Sequence, residues 1–178
     1  AGNHPAIAGL RIEWRLIGHL QSNKASIAAE LFDAVDVIDA LKLAERLNRA
    51  ALELHKALDV LLEINIGGEE SKAGLAPGSP ELNELLRAFN RLDGLQMRGL
   101  MCIPPIVDDP EASRPYFRQL RGLRDELAAL NLPHIELDEL SMGMTHDFEV
   151  AIEEGSTCVR VGTGIFGETV NRAGVGNL

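Results

Sequence analysis

The fold is decided by residues 140–167, which read LSMGMTHDFEVAIEEGSTCVRVGTGIFG. This stretch predicts a strand ending at Ser141-Met142-Gly143, then a helix, a second strand that carries Arg160, and a glycine-rich turn over 161–164. Backbone amides, hydroxyls and the start of a helix would then lie at one end of two neighbouring strands, an arrangement that binds phosphate. An arginine beside such a cradle indicates a phosphorylated ring cofactor.

The rest of the chain repeats the alternation of strand and helix. Strands are predicted over 14–20, 35–39, 59–66 and 97–103, and helices over 25–32 (with Ser22-Asn23 as its cap), 41–58, from Ser79-Pro80 onward, and over 110–131. With the two strands of 140–167 this makes six β/α units, and repeated units of this kind form a parallel sheet, either doubly wound or closed into a barrel. Polar and glycine residues follow nearly every strand, which favours an α/β fold of the TIM (β/α)8 barrel kind.

The composition predicts one domain over residues 1–178, with 168–178 as a C-terminal tail. The net charge of −10 argues against sequence-independent binding to nucleic acid and against binding to anionic membranes. There is no apolar run long enough to span a bilayer and no signal peptide, so we expect a cytoplasmic protein. Cys102 and Cys158 lie in apolar runs and are expected to be buried, reduced thiols, and no Cys/His spacing indicates a metal site.

Arg160 is the residue whose surroundings carry most of the functional argument. Strand alternation places Cys158, Arg160, Gly162 and Gly164 on one face, and Val159, Val161, Thr163 and Ile165 on the face that packs against helices. An arginine inside a β-branched strand is costly unless it is paired. Its partner is either a buried carboxylate or a bound anion or ring, and the neighbouring Gly-Thr-Gly turn favours the ligand.

Several motifs in the same order resemble those of the pyridoxal-phosphate (PLP) homeostasis proteins, the YggS-type family, over nearly the whole chain. They are IGHLQSNK at 17–24, INI at 64–66 with ESKAG at 70–74, RGLM at 98–101, and the run 140–167. The resemblance implies a barrel of the alanine racemase kind, PLP fold-type III. It also implies that Arg160 faces the pyridine nitrogen of PLP, that Ser141 and Val161-Gly162-Thr163 bind the phosphate, and that Met144 and Thr145 line the site.

The lysine that carries PLP as a Schiff base lies, in this family, on the first strand. The first predicted strand here matches the family's third, so we expect an N-terminally truncated chain that holds strands three to eight and lacks that lysine. Lys24 and Lys72 follow strands and are either solvated or placed to steer or capture the cofactor at the barrel mouth. Lys42 and Lys56 are expected on the solvated outer side of the helix 41–58.

The leading functional hypothesis is a non-catalytic PLP-binding protein that stores or delivers the cofactor. By the resemblance, its partners would be PLP and PLP-dependent apo-enzymes, and the parent protein would be a monomer. A PLP-dependent amino-acid racemase is the alternative, although the chain shows no β-rich extension and its one tyrosine, Tyr116, lies on the predicted helix 110–131. A barrel that binds a phosphorylated metabolite without PLP is a third hypothesis.

Overall fold

A computed structural model describes residues 12–69, 72–132 and 134–167 of the chain. Six parallel strands form one sheet in the order of the sequence: β1 (Arg15–Leu16), β2 (Ala34–Ile38), β3 (Leu58–Glu63), β4 (Leu95–Met101), β5 (Ile135–Met144) and β6 (Cys158–Arg160). The helices are α1 (Ala25–Leu31), α2 (Leu41–Glu53), α3 (Pro80–Ala88), α4 (Arg114–Ala128), α5 (Phe148–Glu153) and α6 (Thr163–Phe166). Short 3-10 turns lie at Ser22–Lys24, Phe89–Arg91 and Pro110–Ser113.

The order of the strands decides between the two arrangements that the sequence left open. A doubly wound sheet reverses its strand order at a switch point, whereas each strand here pairs in parallel with the next one along the chain. The sheet also curls. Arg15 on β1 lies 2.7 Å from Glu139 on β5, although four strand spacings would separate these strands by about 19 Å in a flat sheet. The predicted barrel class is therefore confirmed, as a partial α/β barrel.

The core that holds this sheet is aliphatic, as the low aromatic content requires. All five residues of β2 are buried, and most of β3 is buried as well, which is the pattern of a parallel sheet covered on both faces. Helix α2 covers the sheet with an amphipathic stripe in which Leu43 and Leu47 are buried. The bulky core groups are Phe89 after α3 and Phe117 on α4, both fully buried.

Several predicted boundaries are wrong for local reasons. Helix α2 ends at Glu53 instead of 58, because His55 takes a left-handed φ of 54° that no α-helix contains. The predicted helix 110–131 begins as a 3-10 turn, in which the side chain of Asp109 accepts a hydrogen bond from the Glu111 N–H. The strand predicted over 14–20 pairs only at Arg15–Leu16, and β5 begins at Ile135, before the predicted run.

The prediction for the last strand also fails beyond Arg160. The chain turns into α6 at Thr163, so strand alternation does not apply to 162–165. Ile165, expected to pack against helices, is 68% exposed, and Thr163 is exposed too. Gly162 and Gly164 flank Thr163, and neither takes a left-handed φ at this change of direction.

Three further expectations concern features outside the sheet. The predicted tail 168–178 lies outside the described residues. Within the described ranges, no helix is long and apolar enough to cross a membrane. The same part of the chain holds no group of His, Cys, Asp and Glu side chains arranged to bind a metal ion.

Candidate functional site at the ends of β5 and β6

Arg160, the last residue of β6, reaches across two neighbouring strands. Its Nη1 donates to the hydroxyl of Ser141 on β5 at 2.8 Å, and its Nη2 donates to the carbonyl oxygen of Cys102, just after β4, at 2.7 Å. Ser141 and Cys102 are both fully buried. The sequence predicted the pairing of the two final strands, but the Cys102 carbonyl was missed because a backbone acceptor leaves no signal in the residue type.

The positive charge of Arg160 has no carboxylate partner among the ion pairs of the described residues. Arg160 therefore does not form, with these residues, the buried ion pair that was one of the two predictions for it. Burial is the main cause that lowers the pKa of Arg160 from its usual value, while nearby acidic groups act in the opposite direction. A guanidinium still keeps its proton at neutral pH, so the site presents a half-buried cation whose hydrogen-bond acceptors, within the described part of the chain, are neutral oxygens.

Cys102 contributes its carbonyl and not a reactive thiol. Burial raises the pKa of its thiol to about 12, although the charge of Arg160 acts in the opposite direction. A thiol with so high a pKa is protonated at neutral pH and is a poor nucleophile. The prediction of a buried, reduced thiol is confirmed for Cys102, while Cys158 is also free but only half-buried.

A tight turn after β5 brings Met144 and Thr145 to the same place. Met144 is the sheet partner of Arg160, and its N–H donates to the carboxylate of Asp147 at 2.8 Å. The hydroxyl of Thr145 accepts a hydrogen bond from the N–H of Gly164 at 3.2 Å. Thr145 therefore fastens the start of α6 to the end of β5, a role that the sequence did not indicate.

The turn Val161-Gly162-Thr163 forms the outer wall of the site. Val161 is half-buried, and Gly162 and Thr163 are exposed. Neither the Gly162 N–H nor the Thr163 N–H donates to another of the described residues. A Cβ built on Gly162 would meet no atom within 4 Å, whereas one on Gly164 would lie 2.9 Å from a methyl of Thr145. Gly164 is thus required by the packing of the chain itself, and Gly162 leaves open space beside Arg160.

Sequence reasoning missed a carboxylate, that of Glu63, whose pKa is affected by the charge of Arg160. Glu63 ends β3, and its pKa is raised chiefly by burial and then by the negative charge of Asp39, while His19 and Arg160 lower it. The signal was present, because Glu63 is an acidic residue at the C-terminal end of a buried strand, where barrels place functional groups.

The lysines that were considered as cofactor ligands do not contact Arg160. Lys24 is exposed at the end of the 3-10 turn after β1, and Lys72 pairs with Glu69 at 2.8 Å. Lys42 is exposed on α2, as expected. The expectation for Lys56 is wrong, because it lies beyond the end of α2 and donates to the carbonyl of Phe32 at 3.0 Å, where the helix α1 ends.

The family model and the sequence relatives that match this chain agree with each other. The family model described as alanine racemase, N-terminal domain, matches residues 4–170. A pyridoxal phosphate homeostasis protein of Aquifex aeolicus is 45% identical over 168 residues, which are 93% of this chain and 71% of that protein. The protein of the same name from Escherichia coli K12 is 44% identical over 159 residues, which are 88% of this chain and 64% of that protein. The chain thus spans about two thirds of the length of these relatives.

Solved structures agree with these sequence relatives. PipY of Synechococcus elongatus, solved with PLP bound, has a TM-score of 0.78 and 38% identity, with 92% of this chain and 74% of that chain covered. Alanine racemase of Clostridium difficile has a TM-score of 0.68 at 16% identity, covering 90% of this chain and 41% of the other. The second similarity concerns the fold alone.

Proposed function

Because the chain belongs to the alanine racemase N-terminal-domain family, and within it to the pyridoxal phosphate homeostasis proteins, we propose that it binds pyridoxal 5′-phosphate in PLP homeostasis. The proposed site is the cluster at the ends of β5 and β6. The observation that carries this proposal is the half-buried guanidinium of Arg160, which is held by two neutral oxygens and lies beside the open turn 161–163.

The chemistry of the donor set fits a phosphorylated pyridine. Ser141 accepts a hydrogen bond from Arg160, and its own proton remains available for a phosphate oxygen. The N–H groups of Gly162 and Thr163 supply two more donors in an exposed turn that a phosphate can approach closely. Met144 and Thr145 would complete the wall of the site.

Arg160 would set the electronic character of the cofactor. Bound PLP supplies an electron sink, the strength of which depends on groups near its ring nitrogen. A guanidinium donates hydrogen bonds but accepts none and does not release its proton at neutral pH. Facing the ring nitrogen, Arg160 would keep that nitrogen unprotonated and the sink weak. We therefore propose storage or delivery of the cofactor, and not catalysis of demanding carbanion chemistry.

The remaining parts of the proposal concern the surroundings of the protein. We propose that it acts as a monomer in the cytoplasm and passes PLP to PLP-dependent apo-enzymes. The proposed transfer of PLP is supported by the naming of the relatives as homeostasis proteins, since a homeostatic protein must exchange its cofactor with the enzymes that use it.

The test is a binding titration with PLP on the whole chain and on Arg160→Gln. Glutamine keeps hydrogen-bond donors but removes the charge. A hydrogen bond to a charged group contributes about 1.5–3 kcal/mol, so we expect the variant to bind PLP roughly ten- to a hundredfold more weakly. Arg87→Gln, an exposed change on α3, is the control with the same loss of charge, and it should bind as the unaltered chain does.

Two further ligands separate the proposal from its competitors. Pyridoxal, which lacks the phosphate, should bind much more weakly than PLP if the turn 161–163 holds the phosphate. Ribose 5-phosphate that binds as tightly as PLP would instead favour a phosphorylated metabolite as the natural ligand. Equal affinity of Arg160→Gln and the unaltered chain for PLP would refute the assigned role of Arg160.

A further inference from the structure

A polar depression of about 210 Å³, open to solvent, lies between α1 and α2 and shares no residue with the Arg160 site. Its floor is formed by Ala25 and Ala50, each 3% exposed. Its polar lining comes from Ser22, Asn23, Ser26, Arg46, Arg49 and Glu53. We call this depression the α1/α2 pocket.

The pocket follows from the way in which the two helices meet. The helices contact each other, and small side chains are buried on both: Ala25, Ala28 and Ala29 on α1, and Ala44, Ala50 and Ala51 beside Leu43 and Leu47 on α2. Alanines let the helix backbones approach closely, so the longer polar side chains stand around the contact instead of inside it. Ser22 and Asn23 were expected to cap a helix, but neither forms a side-chain cap here. Both residues line the pocket instead.

Two basic residues of α2 line the pocket, and both side chains are exposed. Arg46 and Arg49 lie one turn apart on α2, where like charges repel each other. Neither arginine appears in an ion pair with another described residue, in contrast to Arg91, Arg114 and Arg118. Lys42 and Arg87, outside the pocket, form no ion pair among the described residues either, so Arg46 and Arg49 are distinguished by lining one pocket together. The chain carries a net charge of −10, so two unpaired guanidinium groups in one pocket are not the result of a shortage of acidic residues.

We propose that the α1/α2 pocket binds an oxyanion of the phosphate class. Arg46 and Arg49 supply charge-assisted hydrogen bonds, for which guanidinium geometry is well suited. The hydroxyls of Ser22 and Ser26 and the amide of Asn23 supply neutral donors. Glu53 is the one acidic group in the lining, and it opposes the binding of an anion. The pocket is larger than one phosphate group, so it has room for the small organic part of a phosphate monoester.

The site is independent of the proposed PLP site, and the experiment must keep the two apart. The ¹H–¹⁵N spectrum of the whole chain is followed during a titration with inorganic phosphate at neutral pH and constant ionic strength, and then with glycerol 3-phosphate. The expected result is a saturable shift of the amides of 22–26 and 46–53. Amides of 162–164 report on the other site. Shifts confined to 162–164, or none at all with either ligand, would overturn the proposal.

Variants of the residues that line the pocket give a second test. Removing positive charge should weaken phosphate binding, and removing negative charge should strengthen it. Arg46→Gln with Arg49→Gln should weaken the binding at 22–26 by roughly thirtyfold or more, because two charge-assisted contacts are lost. Glu53→Gln should tighten it by roughly threefold, because a repelling charge is removed. Lys42→Gln with Arg87→Gln makes the same charge change at exposed positions outside the pocket, and binding should stay unchanged. If the two double variants weaken binding equally, the loss comes from the changed net charge of the protein and not from contacts in the pocket. That result would refute the proposed site.

Discussion

Replacing Gly162 by alanine tests whether the open space at this residue is used by a bound ligand, since the folded chain itself leaves that space empty. In the free protein the new Cβ would meet no atom within 4 Å. The backbone of Gly162 has a negative φ of −103°, with ψ −78°, so alanine would not be forced into the left-handed region. The substitution should therefore leave the folded state unstrained, and the loss of glycine freedom in the unfolded chain should raise the free energy of unfolding by about 0.4–1 kcal/mol.

The same methyl group should obstruct the ligand. If the N–H groups of Gly162 and Thr163 approach a phosphate closely, the methyl displaces it from at least one charge-assisted hydrogen bond. That loss is worth about 1.5–3 kcal/mol, which is roughly a ten- to a hundredfold loss of affinity for PLP. The assay is a PLP titration followed by absorbance, together with a thermal melt of the free protein.

The control is Gly122→Ala. It adds a methyl group on α4 where again no atom lies within 4 Å, and we expect unchanged PLP affinity. Unchanged affinity in Gly162→Ala as well would refute the assignment of the phosphate to this turn. Gly164→Ala is expected to differ from both, because its Cβ would lie 2.9 Å from Thr145, so it should lower the melting temperature even without ligand.

Three further predictions concern the scaffold that carries the site. Gly99→Ala should destabilise the fold by about 3 kcal/mol or more, because its Cβ would lie 1.9 Å from the carbonyl oxygen of Glu139 on the adjacent strand; denaturant unfolding measures this. Hydrogen bonding to Arg114 lowers the pKa of Glu154. The contribution of the Glu154 carboxylate to stability is therefore complete above the ordinary glutamate pKa and is lost as the pH falls through the lowered value. Glu154→Gln should flatten the acid side of the profile of stability against pH. A disulfide reagent at neutral pH should spare Cys102, whose pKa is raised to about 12, until the protein unfolds.

Each of these predictions has a matched comparison. Gly18→Ala adds a methyl group in open space and should not lower the unfolding free energy, and the loss of glycine freedom should raise it by at most about 0.4–1 kcal/mol. Glu81→Gln, an exposed change on α3, should leave the acid dependence as it is. Cys158→Ser should remove any thiol that reacts in the native state. Rapid native reaction that persists in this variant, an unaltered acid profile in Glu154→Gln, or a fully stable Gly99→Ala would each contradict the reasoning above.

Sequence reasoning succeeded where the signal was local. Alternation and turn residues indicated six strands and their helices, and Ser79 indeed caps α3 by accepting the N–H of Leu82. The neighbourhood of Ser141 and Arg160 was predictable too, because consecutive β/α units place their strands side by side. Helix ends were predicted less well, since the left-handed backbone of His55 is not signalled by its residue type.

The sequence by itself determined the class of this protein. Its repeated strand–helix periodicity requires a parallel sheet, and its ordered motifs carry the family resemblance that the comparisons bear out. Only the tertiary structure decided which groups meet. Arg15 contacts Glu139 across 124 positions, and Arg160 contacts the carbonyl of Cys102 across 58. Such contacts depend on the curvature of the sheet and on backbone atoms, and neither is encoded in the pattern of side chains along one strand.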